Sequence, residues 1–320
     1  MSDLSIPGRN RRMAASLALI VPLALAACGG GGGGGGAPSQ GSGASAPPTT
    51  LSITTSDVGQ GRFATKAPGS IKGGLVKVVF ENAGRMPHEA QLIRVDEGHT
   101  AREAVEIIGS EDSKTPKWLH AAGGVGVTAP GQQGTTITNL PAGRYAVVDT
   151  GSGGGPEEPS PATRGALAEF EVTQGTPGEL PQTAATIVAK DEGAHGGSEE
   201  ERDAGEHEHT FEANGLKAGK NTVLFDNRSD EIHHVVMAPI VGDTPIEEVE
   251  KALASEEEPE GPPPVDFQNT VITSVLDGQT KEVTDLQLRK GRYALLCFVS
   301  DRDGGKPHFL EGMFEEITIN

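Results

Sequence analysis

Leu140-Pro141-Ala142-Gly143-Arg144-Tyr145-Ala146-Val147-Val148-Asp149 and Leu288-Arg289-Lys290-Gly291-Arg292-Tyr293-Ala294-Leu295-Leu296-Cys297 are one segment written twice in this chain. In each, a turn with glycine leads through Arg-Tyr into a run of apolar residues, the pattern of a buried strand. The duplication extends outward in both directions. Leu75 to Asn82 matches Asn221 to Asn227, and His88 falls six residues past Asn82 as His233 falls six past Asn227. Gln91 to Val95 and Val235 to Ile240 are again β-branched and apolar. Glu169 to Val172 and Glu316 to Ile319 form the closing strands.

Between these runs each copy carries one short helical insertion, Thr100 to Ile108 and Pro245 to Glu257. A Thr or Pro start, early acids and apolar residues three and four apart predict the helices. Overlaying 51–175 on 182–320 therefore gives an all-β chain of two tandem β-sandwiches. The boundary falls at Thr176 to Gln182, where Pro177, Gly178 and Pro181 break any element. Composition agrees: 45 Gly, 22 Pro and 4% aromatic residues suit short strands joined by many turns.

A net charge of −19 argues against nucleic acid, whose recognition depends on cationic side chains displacing counterions. The same charge favours basic partners or cations through a field that salt screens.

Arg9, Arg11 and Arg12 precede an apolar run from Met13 to Ala27, too short for a usual membrane span. Residues 1–27 are expected to be a signal peptide. Leu25-Ala26-Ala27-Cys28 resembles the lipobox of bacterial lipoproteins, which implies cleavage before Cys28 and its lipidation. A plain secretory signal or an uncleaved anchor remains open. Residues 28–50 are Gly-, Ser-, Ala- and Pro-rich and are expected to be a flexible tether. The expected location is the cell membrane, on its extracytoplasmic face.

In the second copy Cys297, His308 and Met313 arrive together: ten residues separate the first pair and four the second. His233 stands upstream. This set resembles the cupredoxins, including plastocyanin and the type 1 domain of copper nitrite reductases, in which a loop with Cys, His and Met joins the last two strands. The resemblance covers most of 182–320. It implies Greek-key sandwiches and one type 1 copper per chain, with Cys297 as thiolate, His233 and His308 as nitrogen ligands and Met313 as the long axial contact. A thiolate and two imidazoles suit copper in both oxidation states, and a weak thioether helps tune the potential. His234 is adjacent, so the first ligand is arguable. A strand sends neighbours to opposite faces, and alignment with His88 favours His233.

The first copy has Asp149 at the position of Cys297, about Pro161 at His308 and about Ala166 at Met313, leaving only His88. It is expected to hold no copper and to act as a structural or docking domain. His195, Glu206, His207, Glu208 and His209 lie in an expected acidic loop that could capture copper or zinc loosely, or be solvated linker.

The expected function is one-electron relay between extracytoplasmic redox partners. The alternatives are a copper carrier or store serving an acceptor enzyme, and a metal-free binding module. Catalysis is not expected: multicopper oxidases and nitrite reductases need further His-rich sites, and only His207-x-His209 has that look. With Cys28 lipidated, Cys297 is a lone thiol without a disulfide partner.

Overall fold

The structure is a computed structural model in which residues 47–110, 114–151, 159–192, 208–255 and 261–320 are described. The expected signal peptide, Cys28 and most of the tether lie outside these residues, as do His195, Glu206 and His207. Among the described residues no helix is long and apolar enough to cross a membrane.

The first sandwich is built from β1 (Thr49–Gly59), β2 (Arg62–Lys66), β3 (Ser70–Lys72), β4 (Gly74–Asn82), β5 (His88–Val95), β6 (Leu119–Thr128), β7 (Gln133–Leu140), β8 (Gly143–Val148) and β9 (Leu167–Thr173). The second is built from β10 (Ala185–Glu192), β11 (Glu208–Asn214), β12 (Gly219–Asn227), β13 (Val236–Pro239), β14 (Val271–Ile272), β15 (Thr280–Leu288), β16 (Gly291–Leu296) and β17 (Phe314–Ile319). In both copies the opening strand runs parallel to the third main strand of its sheet, β1 beside β4 and β10 beside β12. The outer sheets also correspond, β3-β9-β8-β5-β6 in one copy and β14-β13-β16-β17 in the other.

Alternation explains the layers. Val76, Val78 and Phe80 of β4 point inward, as do Val223 and Phe225 of β12, and meet side chains from the facing sheet. Each such side chain contributes about 1.5–3 kcal/mol when fully buried. The repeated Gly-Arg-Tyr places a buried tyrosine whose hydroxyl donates back to the chain: Tyr145 to the Pro141 carbonyl at 3.0 Å and Tyr293 to the Arg289 carbonyl at 3.1 Å.

The insertions are helices α1 (Ala101–Ile108) and α2 (Ile246–Ala254), each laid on the outer face of its outer sheet. Thr100 and Glu103 form a reciprocal capping box that starts α1. The second helix stops at Ala254, short of the expected Glu257.

The two inner sheets are one. β15 pairs with β7 through Glu282↔Thr138, Val283↔Ile137 and Thr284↔Thr136, giving an eight-stranded sheet ordered β11-β10-β12-β15-β7-β4-β1-β2. Around this seam the Thr136 hydroxyl donates to that of Thr284 at 3.0 Å. The Gln91 amide clasps the Val275 backbone, donating at 3.1 Å and accepting at 2.7 Å. Glu282 is buried and accepts from the Gly124 N–H at 3.0 Å and the Ser274 hydroxyl at 3.1 Å. Burial pushes its carboxyl up to about 8. Gly126 lies so close to the Ile272 carbonyl that a Cβ there would overlap it.

Candidate metal centre

β16 ends at Leu296 and delivers Cys297 into the core, among Val235, Met237, Leu276 and Met313. After it the chain leaves the sheet, and a 3-10 turn at His308–Glu311 brings it back into β17. Backbone hydrogen bonds close this excursion: Phe309 N–H to the Cys297 carbonyl, His308 N–H to the Val299 carbonyl and Met313 N–H to the His308 carbonyl, each at 2.9 Å. Gly312, at φ 100°, makes the left-handed turn that ends it. His233 comes from the other side, held by a two-way backbone bridge to Leu276 at 3.0 and 2.8 Å.

Three donor atoms converge. Nδ1 of His308 lies 2.9 Å from Nδ1 of His233 and 3.7 Å from Sγ of Cys297. The ligand atoms of His233, Cys297 and His308 all fall within 4.8 Å of one another, and all three residues are fully buried. Met313, also at 0% exposure, packs in the same apolar cluster as Cys297. His234 faces the other way, its Nε2 accepting from the Phe298 N–H at 3.0 Å. The backbone N–H groups of His234 and Val299 favour the charged form of the sulfur.

Electrostatics prepare these donors. Burial, reinforced by His308 and His209, lowers His233 to about 2, so its ring is neutral at ordinary pH. Burial pushes the Cys297 thiol up to about 12, and a cation is needed to take the proton's place. His233 Nε2 is buried without a hydrogen-bond partner. A thiolate, two imidazole nitrogens and a nearby thioether fit copper by donor type.

Asp301, in the loop between Cys297 and His308, accepts from His308 Nε2 at 3.0 Å, and the pattern of Cys, His and Met gave no signal for it. The nearby His209 ring, 3.5 Å away, and the hydrogen bond from His308 hold its carboxyl well below the usual range. The expected acidic loop ends earlier than its composition implied. β11 opens at Glu208, and His209 is buried at 1% exposure against the rings of His233 and His308. Alternation through His209, Phe211 and Ala213 was the available signal. Burial disfavours the charged form of His209, but Asp191 and Asp301 outweigh it and raise the group to about 9.

Arg302, next to Asp301, anchors the loop to the first sandwich. Its guanidinium donates to the Leu119 carbonyl at 2.9 Å and to the Asp277 carboxylate, and its carbonyl accepts from Thr115 N–H at 2.8 Å. A cavity of about 740 Å³ lies in the seam, with His234 and Phe298 on one wall and Glu89 and Gln91 on the other.

The first sandwich repeats the loop without the donors. A 3-10 turn at Pro161–Arg164 takes the place of His308–Glu311, and Gly165, at φ 109°, that of Gly312. Ala162 N–H reaches the Asp149 carbonyl, and Ala166 N–H the Pro161 carbonyl, both at 2.9 Å. Hence Asp149, Pro161 and Ala166 occupy the places of Cys297, His308 and Met313. His88 remains buried and its Nδ1 meets Asp149 Oδ2 at 2.5 Å.

These are two tandem cupredoxin-like domains. A solved multicopper oxidase is 16% identical, with coverage of 85% of this chain and 88% of that one and a TM-score of 0.24. The copper nitrite reductase of Nitrosomonas europaea is 12% identical, with 85% and 94% covered and a TM-score of 0.25. Auracyanin of Roseiflexus castenholzii is 21% identical, with 33% and 80% covered and a TM-score of 0.22. No family model and no curated protein matches the sequence. Two of these three structures are named as enzymes, which stands against the expectation that the chain is not a catalyst.

Proposed function

We propose that the second cupredoxin-like domain binds one type 1 copper through His233, Cys297 and His308, with Met313 axial, and that the protein transfers single electrons on the extracytoplasmic side of a membrane, tethered through Cys28. The convergence of His233 Nδ1, His308 Nδ1 and Cys297 Sγ carries this reading. Bound copper would supply a one-electron couple between its two oxidation states.

The chain's own residues do the rest. The loop bonds fix Cys297 and His308 relative to each other, which limits rearrangement when the charge of the centre changes. The amides of His234 and Val299 stabilise negative charge on the sulfur and so weigh on the potential. Complete burial of the three donors excludes water from the centre. The net charge of −19 favours a basic partner surface.

The test is the visible spectrum of the full chain loaded with Cu(II), repeated with Cys297→Ser. An intense thiolate-to-copper band that disappears in the variant supports the reading. Its absence from well-folded wild-type protein overturns it.

A further inference from the structure

His308 has its outer nitrogen covered by protein, and the cover is a chain of side chains from three separate segments. Nε2 of His308 meets Asp301 Oδ1 at 3.0 Å. The same oxygen lies 3.5 Å from Nε2 of His209, whose Nδ1 meets Asp191 Oδ1 at 2.9 Å. Asp191 is fixed in turn, its second oxygen accepting the Asp230 N–H at 3.0 Å. Asp191 and His209 are directly paired across the β10–β11 ladder, so the hairpin holds them in register. The His209 ring also presses on that of His308, with centroids 4.1 Å apart and planes at 37°, and meets His233 edge-on at 5.2 Å.

A neutral imidazole has two tautomers, and a half-turn about its last torsion exchanges a nitrogen for a carbon. An acceptor on Nε2 removes both freedoms. With Asp301 accepting from Nε2–H, the lone pair of His308 is on Nδ1, toward His233 and Cys297.

We propose that Asp301 and His209, anchored by Asp191, are positioning residues of the metal centre, which hold the His308 ring with its Nδ1 lone pair aimed at the metal position. This rests on the copper reading only for its second test. The first uses the metal-free full chain with 15N-labelled histidine. Long-range proton–nitrogen correlation should find His308 as the Nε2–H tautomer, a mixture in Asp301→Ala, and the wild-type state again in Asp301→Asn, whose amide oxygen still accepts. An unchanged tautomer in Asp301→Ala overturns the proposal.

The second test measures Cu(II) affinity by competition with a chelator. Asp301→Ala and His209→Phe should each weaken it by about 10–100-fold, the range for loss of a group that orients a ligand, with Asp301→Asn close to wild type. His209→Phe keeps the ring contact and loses both nitrogens, so wild-type affinity there overturns the part given to His209. Should wild-type protein give no copper–thiolate band, the electron-transfer reading fails while the tautomer measurement still decides this one.

Discussion

The Nδ1 atoms of His233 and His308 stand 2.9 Å apart in a fully buried site. With Asp301 accepting from His308 Nε2–H, the hydrogen bond between the two Nδ1 atoms is donated by His233. A cation relieves this arrangement, since it lets both lone pairs and the sulfur point at one place.

Cu(II) should therefore raise the melting temperature in a concentration-dependent way. Binding to the folded state alone stabilises by about 2.7 kcal/mol at a ligand concentration 100 times Kd. At about 2–4 °C per kcal/mol that is a shift of several degrees. His308→Ala should abolish it in scanning calorimetry, and an equal shift in that variant would mean that copper binds elsewhere.

Glu282 sets a pH dependence. Its carboxyl is raised from 4.5 to about 8 by burial, so the folded state keeps a proton that the unfolded chain loses above pH 4.5. Stability is complete below that pH, falls as pH rises toward 8, and levels off beyond. Glu89, raised to about 7 by burial and by Asp149, acts in the same direction. Glu282→Gln should flatten the fall in melting temperature between pH 5 and 8, and a slope equal to wild type would sink this account.

Arg302→Ala should loosen the ligand loop from the first domain. It removes hydrogen bonds to the Leu119 carbonyl and the Asp277 carboxylate. The expected loss is about 1.5–3 kcal/mol, typical of bonds involving a charged group. Urea unfolding measures it, and a change under 0.5 kcal/mol, the usual range for an unremarkable surface position, would show that the anchor is idle.

Asp149→Ala leaves His88 Nδ1 buried beside an alanine. A loss of about 1–3 kcal/mol is expected for the unpaired group, with the copper spectrum unchanged because the second site is untouched. Altered copper absorption would place the first domain closer to the centre than its residues allow.

Much of this was legible in the sequence, because duplication supplied an internal control. Gly-Arg-Tyr and the paired Asn-to-His spacings place the strands, and the positions of Asp149, Pro161 and Ala166 follow by overlay. The junction was not legible, since it is made of Thr136, Thr138, Glu282 and Thr284, polar residues that a pattern assigns to water although all four are buried. His209 was hidden for a related reason: the acids that precede it carry the look of a loop to the first residue of a strand.

The pairing of β7 with β15 also bears on solubility and on descent. Severed from each other, the halves would each present a row of open backbone donors and acceptors along Thr136–Thr138 and Glu282–Thr284, a template for joining to other chains. The copy without thiolate or second imidazole thus serves as a permanent edge guard, which gives a physical reason for keeping both halves in one chain.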